Sequence, residues 1–446
     1  MRPRPTLLLI SAVFLLLAAC ERPLIDASKP IIEVLEPDFS TVFLEDNALL
    51  RLRVSSFRDI TRVTIGEVPL SFTPQSGVWE APLHFSRGLN IVMVTALDEQ
   101  GASQSDTLFA LHLPISNITG APRLDEPLGG HTATLYPTGE LLLTGGARAA
   151  GGAAVDQAAL LRPNTTRFEP LPATLHTART GHTATLLPDG RLLLLGGSRC
   201  DEPSEIEDLV ETAELYNPIT RTFSTIPVEG PPIRRTLHTA LLRLTSDGPV
   251  VDLLGGRGDI RYTPTSLMGT RPDLRSFLLV RDTLFALSPA IGPFIEPLAG
   301  HTQTALTQVD TGIVGRFLVT NSFFIDGFDD TTSFILDYEG DFGLIQRPVA
   351  RPNLSRTRHA AVLLRGGFVA LFGGHRALTT DVLSVPEIYV DRADRFFQFP
   401  ENTTTLHHNR YGHTATKLSA DRILLVGGFT PDGTGAAVSE YFHFTF

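Results

Sequence analysis

Cysteine is scarce in this sequence: there are two in 446 residues, Cys20 and Cys200. Cys20 lies in an N-terminal export segment, so Cys200 is left without a partner for an internal disulfide. Its neighbours Asp201, Glu202, Glu205, Glu207 and Asp208 are acidic and disfavour a thiolate, which argues against a catalytic cysteine. Basic blocks are missing outside the first few residues, and the formal net charge is -11, which excludes nucleic acid as a partner class. The run from Leu7 to Leu17 is shorter than the roughly 20 apolar residues a spanning helix needs. No G-x-S-x-G elbow and no D-x-D-x-D-G calcium loop occurs, and Trp79 is the only tryptophan, read as packing.

What is present is a repeated stretch, best seen at residues 181–197, GHTATLLPDGRLLLLGG. Polar and apolar residues alternate from His182 to Leu187, as in a strand with one buried face. Asp189-Gly190 supplies a hairpin turn. The run Arg191 to Leu195 then reads as a strand covered on both faces, ended by Gly196-Gly197. The histidine recurs at His131, His182, His238, His301, His359 and His413, separated by 51, 56, 63, 58 and 54 residues. In four copies the glycine pair follows the histidine by fourteen residues. The third copy reaches it at Gly255-Gly256 after an insertion, and the fourth has Thr320-Asn321 in its place.

A second half repeats more loosely: Glu214 to Pro227 matches Leu160 to Pro172 and Glu387 to Pro400, with Phe168, Phe223 or Phe396 in the last strand. A period near 50 with this histidine, glycine pair and tyrosine resembles the kelch repeats of β-propellers. The resemblance implies an all-β fold with a six-bladed propeller over 115–446. The sixth unit ends after a third strand, so the segment 122–128 is expected to complete its sheet and close the ring.

Upstream, residues 31–114 hold seven or eight short β patterns, among them Leu49 to Val54 and Asn90 to Ala96. With the stretch Gly88 to Leu113 they resemble bacterial surface Ig-like domains, which implies a small β-sandwich. Arg2, Arg4, the apolar run and Ala18-Ala19-Cys20 have the layout of an export signal over 1–20. Leu17-Ala18-Ala19-Cys20 resembles a lipobox, which implies a lipidated Cys20, a tether over 21–30 and a bacterial cell envelope location. Glu21 after the cysteine resembles outer-membrane lipoproteins.

Candidate site residues follow from the repeat. The six histidines share one repeat position, so they are expected to bond neighbouring backbone, and no metal or other cofactor is expected. Arg179, Arg235, Arg356 and Arg410 lie three residues before their histidines, with Arg234 and Arg358 nearby, while Leu128 and Leu298 stand there in repeats one and four. Four guanidiniums at one mouth would suit an anion, the alternative being bonds to backbone between blades. Asp326, Asp329 and Asp330 and the acidic stretch 201–214 are read as solvated loops, and Arg257-Gly258-Asp259 as a chance match to a cell-adhesion tripeptide.

The function expected is thus that of an envelope lipoprotein, a monomer and not an enzyme, whose propeller binds a protein or glycan ligand. The kelch resemblance keeps two alternatives open, a carbohydrate-active epimerase, lyase or oxidase and a structural scaffold. Copper-and-crosslink oxidase chemistry lacks a matching ligand set around Cys200.

Overall fold

The computed structural model describes residues 29–118, 121–258, 269–270, 274–287, 298–306, 315–325, 328–339, 343–376, 381–400 and 406–446. Cys20 and the export segment, Asp259 and Asp326 lie outside them, as do the side chains of Asp329 and Asp330. Among the described residues every element longer than three residues is a strand, and no helix is long and apolar enough to cross a membrane. The chain divides into two compact units, one of residues 1–37, 49–83 and 92–108, the other of 38–48, 84–91 and 109–446.

Before residue 115 the strands form two antiparallel-rich sheets. Alternation decides their faces. Along Asn47–Ser55, Leu50 and Leu52 are buried, while Arg51 and Arg53 turn outward to Glu80, Glu36 and Glu33. Along Gly88–Asp98, Val92, Val94 and Ala96 point inward between exposed Ile91 and Met93. Asp98 closes the turn that follows, accepting hydrogen bonds from the Gln100 and Ala102 amides at 2.9 and 2.8 Å. Trp79 packs on Phe72 with ring centroids 4.8 Å apart.

From residue 115 onward the described residues form seven sheets, six of four or five strands in which one strand directly follows a repeat histidine, and one of three short strands, Arg235–Thr236, Arg257–Gly258 and Gly269–Thr270. In the second repeat Thr183–Leu186, Leu192–Leu195, Ala213–Asn217 and Thr222–Ile226 pair in order. The leucine run is buried on both faces as its composition requires: Leu192 and Leu194 pack with Leu142 and Leu160, Leu193 and Leu195 with Leu253 and Phe277. Each such leucine contributes about 1.5–3 kcal/mol on burial. The third repeat adds a parallel strand, Val228–Glu229, to its sheet. In the fourth, where the glycine pair is missing, Arg316–Ile325 runs on as a ten-residue strand paired with Phe328–Glu339.

The first strands of the six sheets touch in a closed circuit, each meeting the next and the sixth meeting the first. One expectation about this closure is corrected. The strand that completes the sixth sheet is Ile115–Ile118, paired with Ser439–Phe444 from Ile115 opposite Phe444 to Ile118 opposite Tyr441. Segment 122–128 instead makes scattered bonds, Leu124 and Leu128 donating to Ala437 and Ala436 and Arg123 bridging Arg167. Pro122 and Pro127 have no N–H to offer a ladder.

Candidate functional site

The glycine pair and the histidine explain each other. A Cβ on Gly196 would lie 2.6 Å from the Arg235 carbonyl and 2.7 Å from the His238 ring, and Gly145, Gly255, Gly373 and Gly427 meet the next repeat in the same way. All five have positive φ. The pair therefore makes room for the following repeat's imidazole. The imidazoles were expected to bond backbone; their partners are instead threonine hydroxyls of the preceding sheet. His182 Nε2 lies 3.2 Å from Thr132 and Thr144, His238 3.2 Å from Thr183, His301 2.9 Å from Thr239, His359 2.9 Å from Thr302 and Thr320, and His131 3.2 Å from Thr414. His413 breaks the series, because Ala360 stands where the other repeats have threonine, and its Nε2 has no partner among the described residues. Burial pushes all six below the ordinary imidazole range, His131 to about 4 and His301 to about 3, so they are neutral at pH 7.

The four arginines are not at a mouth. Arg179, Arg235, Arg356 and Arg410 are all fully buried, which corrects the expectation that they contact an anion. Each donates to the carbonyl of the first glycine of its own pair, at 3.1, 3.0, 3.1 and 2.9 Å. Arg179 and Arg356 also reach Glu214 and Glu387 at 2.6 Å, and Arg410 pairs with Glu440. The glutamates in turn accept backbone amides of the entering loop, as Glu214 does from His176 at 2.8 Å and Thr177 at 3.0 Å. A buried guanidinium so occupied holds one sheet together and has no face for a ligand.

The residues that precede the histidines form a second ring. Gly130, Gly412, Arg358, Gly300, Leu237 and Gly181 are linked in a cycle, each amide donating to the next carbonyl at 2.7–2.9 Å and Gly181 returning to Gly130. All six have φ between 56° and 66° except Arg358 at 53°. Four are glycine, for which this is ordinary backbone; Leu237 and Arg358 adopt it at a cost. These residues and the histidines line a cavity of about 140 Å³.

Arg358 uses its position to reach across. Its guanidinium meets Asp201 at 2.5 and 3.2 Å, with both side chains nearly inaccessible, and lies 5.0 Å from the Tyr411 ring centre and 5.3 Å from that of Phe429. Its Nε–H has no acceptor among the described residues. Asp201 begins the acidic stretch read as solvated, and Glu214 ends it; the structure instead commits both to buried arginines.

Beside them is His375, which directly follows Gly373-Gly374 and packs edge-on to Tyr411 with centroids 4.8 Å apart. Its Nδ1 lies 3.0 Å from the Arg376 carbonyl, which assigns the proton to Nδ1 and leaves Nε2 as the basic nitrogen. No described residue bonds that Nε2. Burial lowers the His375 pKa and the Arg358 charge adds to this, while burial raises that of the Tyr411 phenol. A neutral imidazole base, a protonated phenol and a desolvated guanidinium thus share one place, with Glu202 close enough to act on both titrating rings. Such a set can take and return a proton.

Of this cluster only Arg358 and Asp201 stood out in the sequence. Arg358 stands out as an arginine near the repeat histidine and Asp201 as part of an acidic stretch; the signal that marks the place of Arg358 is the Gly-His dipeptide, broken only there and at Leu237. Cys200 is a free, partly buried thiol whose pKa is raised by burial and then by Asp208. Among the described residues no group of three or more His, Cys, Asp or Glu side chains could hold a metal ion.

No family model matches the chain, and no curated protein matches it. Solved structures do. YjhT aligns over 74% of this chain and 100% of its own, at 13% identity with a TM-score of 0.54. A fungal alcohol oxidase of the AA5 family, in complex with copper, aligns over 93% of this chain and 75% of its own, at 14% identity with a TM-score of 0.49.

Proposed function

We propose that the chain is a carbohydrate-active enzyme of the proton-transferring kind, an epimerase or lyase, built on a six-bladed propeller. Its fold is a kelch-like β-propeller of many small sheets, and the expectation that it is not an enzyme is corrected by the matches, which include an alcohol oxidase. The observation that carries the reading is the cluster of His375, Tyr411 and Arg358. His375 Nε2 takes a proton from a sugar carbon or hydroxyl. Tyr411, held protonated beside it, supplies one, and the desolvated Arg358 charge next to both rings favours the negative charge that forms. Asp201 fixes the guanidinium in place. The kelch resemblance of the repeats, which keeps a carbohydrate-active enzyme open, supports the substrate class.

Six blades are supported by the closed circuit in which the six strands that follow the repeat histidines touch one another. Two sheets before residue 115 support an Ig-like spacer. The lipobox supports anchoring through Cys20 at the cell envelope.

The test is interconversion or elimination on a panel of sugars, followed by NMR. His375→Ala and Tyr411→Phe are each expected to lower kcat by about 10²–10⁴-fold with unfolding unchanged. Turnover that survives both substitutions, or no turnover on any sugar, overturns the proposal.

A further inference from the structure

At the far end of the fifth sheet from His375 lies a cavity of about 570 Å³, a volume in the range of small-ligand sites. All of its lining belongs to the second unit. The strand Phe368–Phe372 runs from this cavity to the glycine pair before His375, five residues or about 17 Å. The two places are therefore separate.

Three arginines line the cavity: Arg87, Arg365 and Arg392. Arg365 precedes Gly366-Gly367, the positive-φ turn that enters the strand, and Arg392 lies in the short turn after Glu387–Val390. Neither has a hydrogen bond or an ion pair among the described residues, and Arg87 bonds only the Phe446 carbonyl, at 3.3 Å. The carboxylate in the lining, Asp391, is already taken by Arg316 at 2.9 Å. On a protein of net charge -11, three guanidiniums around one cavity, two of them without a bond to any described residue, are a local reversal of sign. The lining also contains the rings of Phe368 and Phe446, stacked with centroids 6.3 Å apart and planes 22° from parallel.

We infer that this cavity binds a carboxylate-bearing saccharide of two or three rings, the guanidinium forks taking the carboxylates and the half-buried Phe446 ring, backed by Phe368, taking a C–H face of the sugar. The site does not depend on the proton-transfer reading. Arg365→Ala with Arg392→Ala removes two exposed side chains and is expected to leave thermal unfolding unchanged. Calorimetric titration of the full chain with trigalacturonate, and with neutral galactotriose as its uncharged counterpart, tests the inference. Expected are binding of trigalacturonate alone, an affinity that falls with added salt, and at least a tenfold loss in the double variant, while His375→Ala binds as the parent does. Equal binding of galactotriose, no binding of trigalacturonate, or full affinity in the double variant each overturns it.

Discussion

Ala360 shows how much one atom matters in a repeated position. Five repeats place threonine after the histidine and so give the next imidazole a hydroxyl; the fifth places alanine, and His413 Nε2 is left buried and unpaired. Ala360→Thr copies what the other repeats already accommodate. It is expected to stabilise the protein by about 0.5–1.5 kcal/mol, read as a higher midpoint in urea with an unchanged slope. A lower midpoint would mean that the fifth sheet has closed around the smaller side chain. Arg358 is the opposite case, a large residue at a place where four repeats have glycine. Its strain is tolerated because the side chain gains a carboxylate and two aromatic faces.

At the level of the element, the arginine and the glutamate of each sheet are kept or lost together in five of the six repeats. Where Arg179, Arg356 and Arg410 are present, Glu214, Glu387 and Glu440 stand in the third strand. Where repeat one has Leu128, the matching third-strand residue is Ala159, and where repeat four has Leu298 it is Phe334. Leu298 and Phe334 share one apolar cluster, as Leu128 and Ala159 do another. Repeat three departs from this, with Arg235 fully buried and Arg275 at the glutamate position. A buried ion stripped of its partner is the worst arrangement. Arg179→Leu is therefore expected to cost about 3–5 kcal/mol, and adding Glu214→Ala, which rebuilds the combination of repeat one, to recover part of that loss. Denaturant titration of both variants checks this; additive losses would contradict it.

The pairing also shows what could and could not be read in advance. Strands, turns and the kelch-type repeat were legible because period, glycine pair and leucine run recur and each copy supports the others. Arg179 and its counterparts were not, because an arginine before a strand looks exposed until the glutamate opposite it is counted as its partner. His375 and Tyr411 come from different repeats and share no spacing, so only the fold brings them together. Ile115–Ile118, the strand that closes the sixth sheet, directly follows segment 31–114 and carries none of the marks of the repeat, so the sequence does not single it out.

For the whole molecule, six buried neutral histidines set the response to acid. Each folded pKa is depressed, and the unfolded chain protonates its histidines near 6.5. Between that value and the folded values of about 4 for His131 and about 3 for His301, the unfolded state holds more protons. Stability is fully present above about pH 6.5 and is lost as pH falls toward 4. Thermal midpoints taken from pH 7.5 to 4.5 are expected to drop steeply, with a slope equivalent to several protons. A flat profile would mean that the imidazoles are hydrated or charged in the folded protein.

The backbone cycle through Gly130, Gly181, Leu237, Gly300, Arg358 and Gly412 has a consequence for anything that sits on its axis. Six like positions would offer a ligand six indistinguishable orientations, and choosing one among them would forfeit about 1 kcal/mol, the value of RT ln 6. Leu237 and Arg358, unlike each other and unlike the four glycines, remove that degeneracy. They give the cycle a single direction, and so a guest there has one way to face.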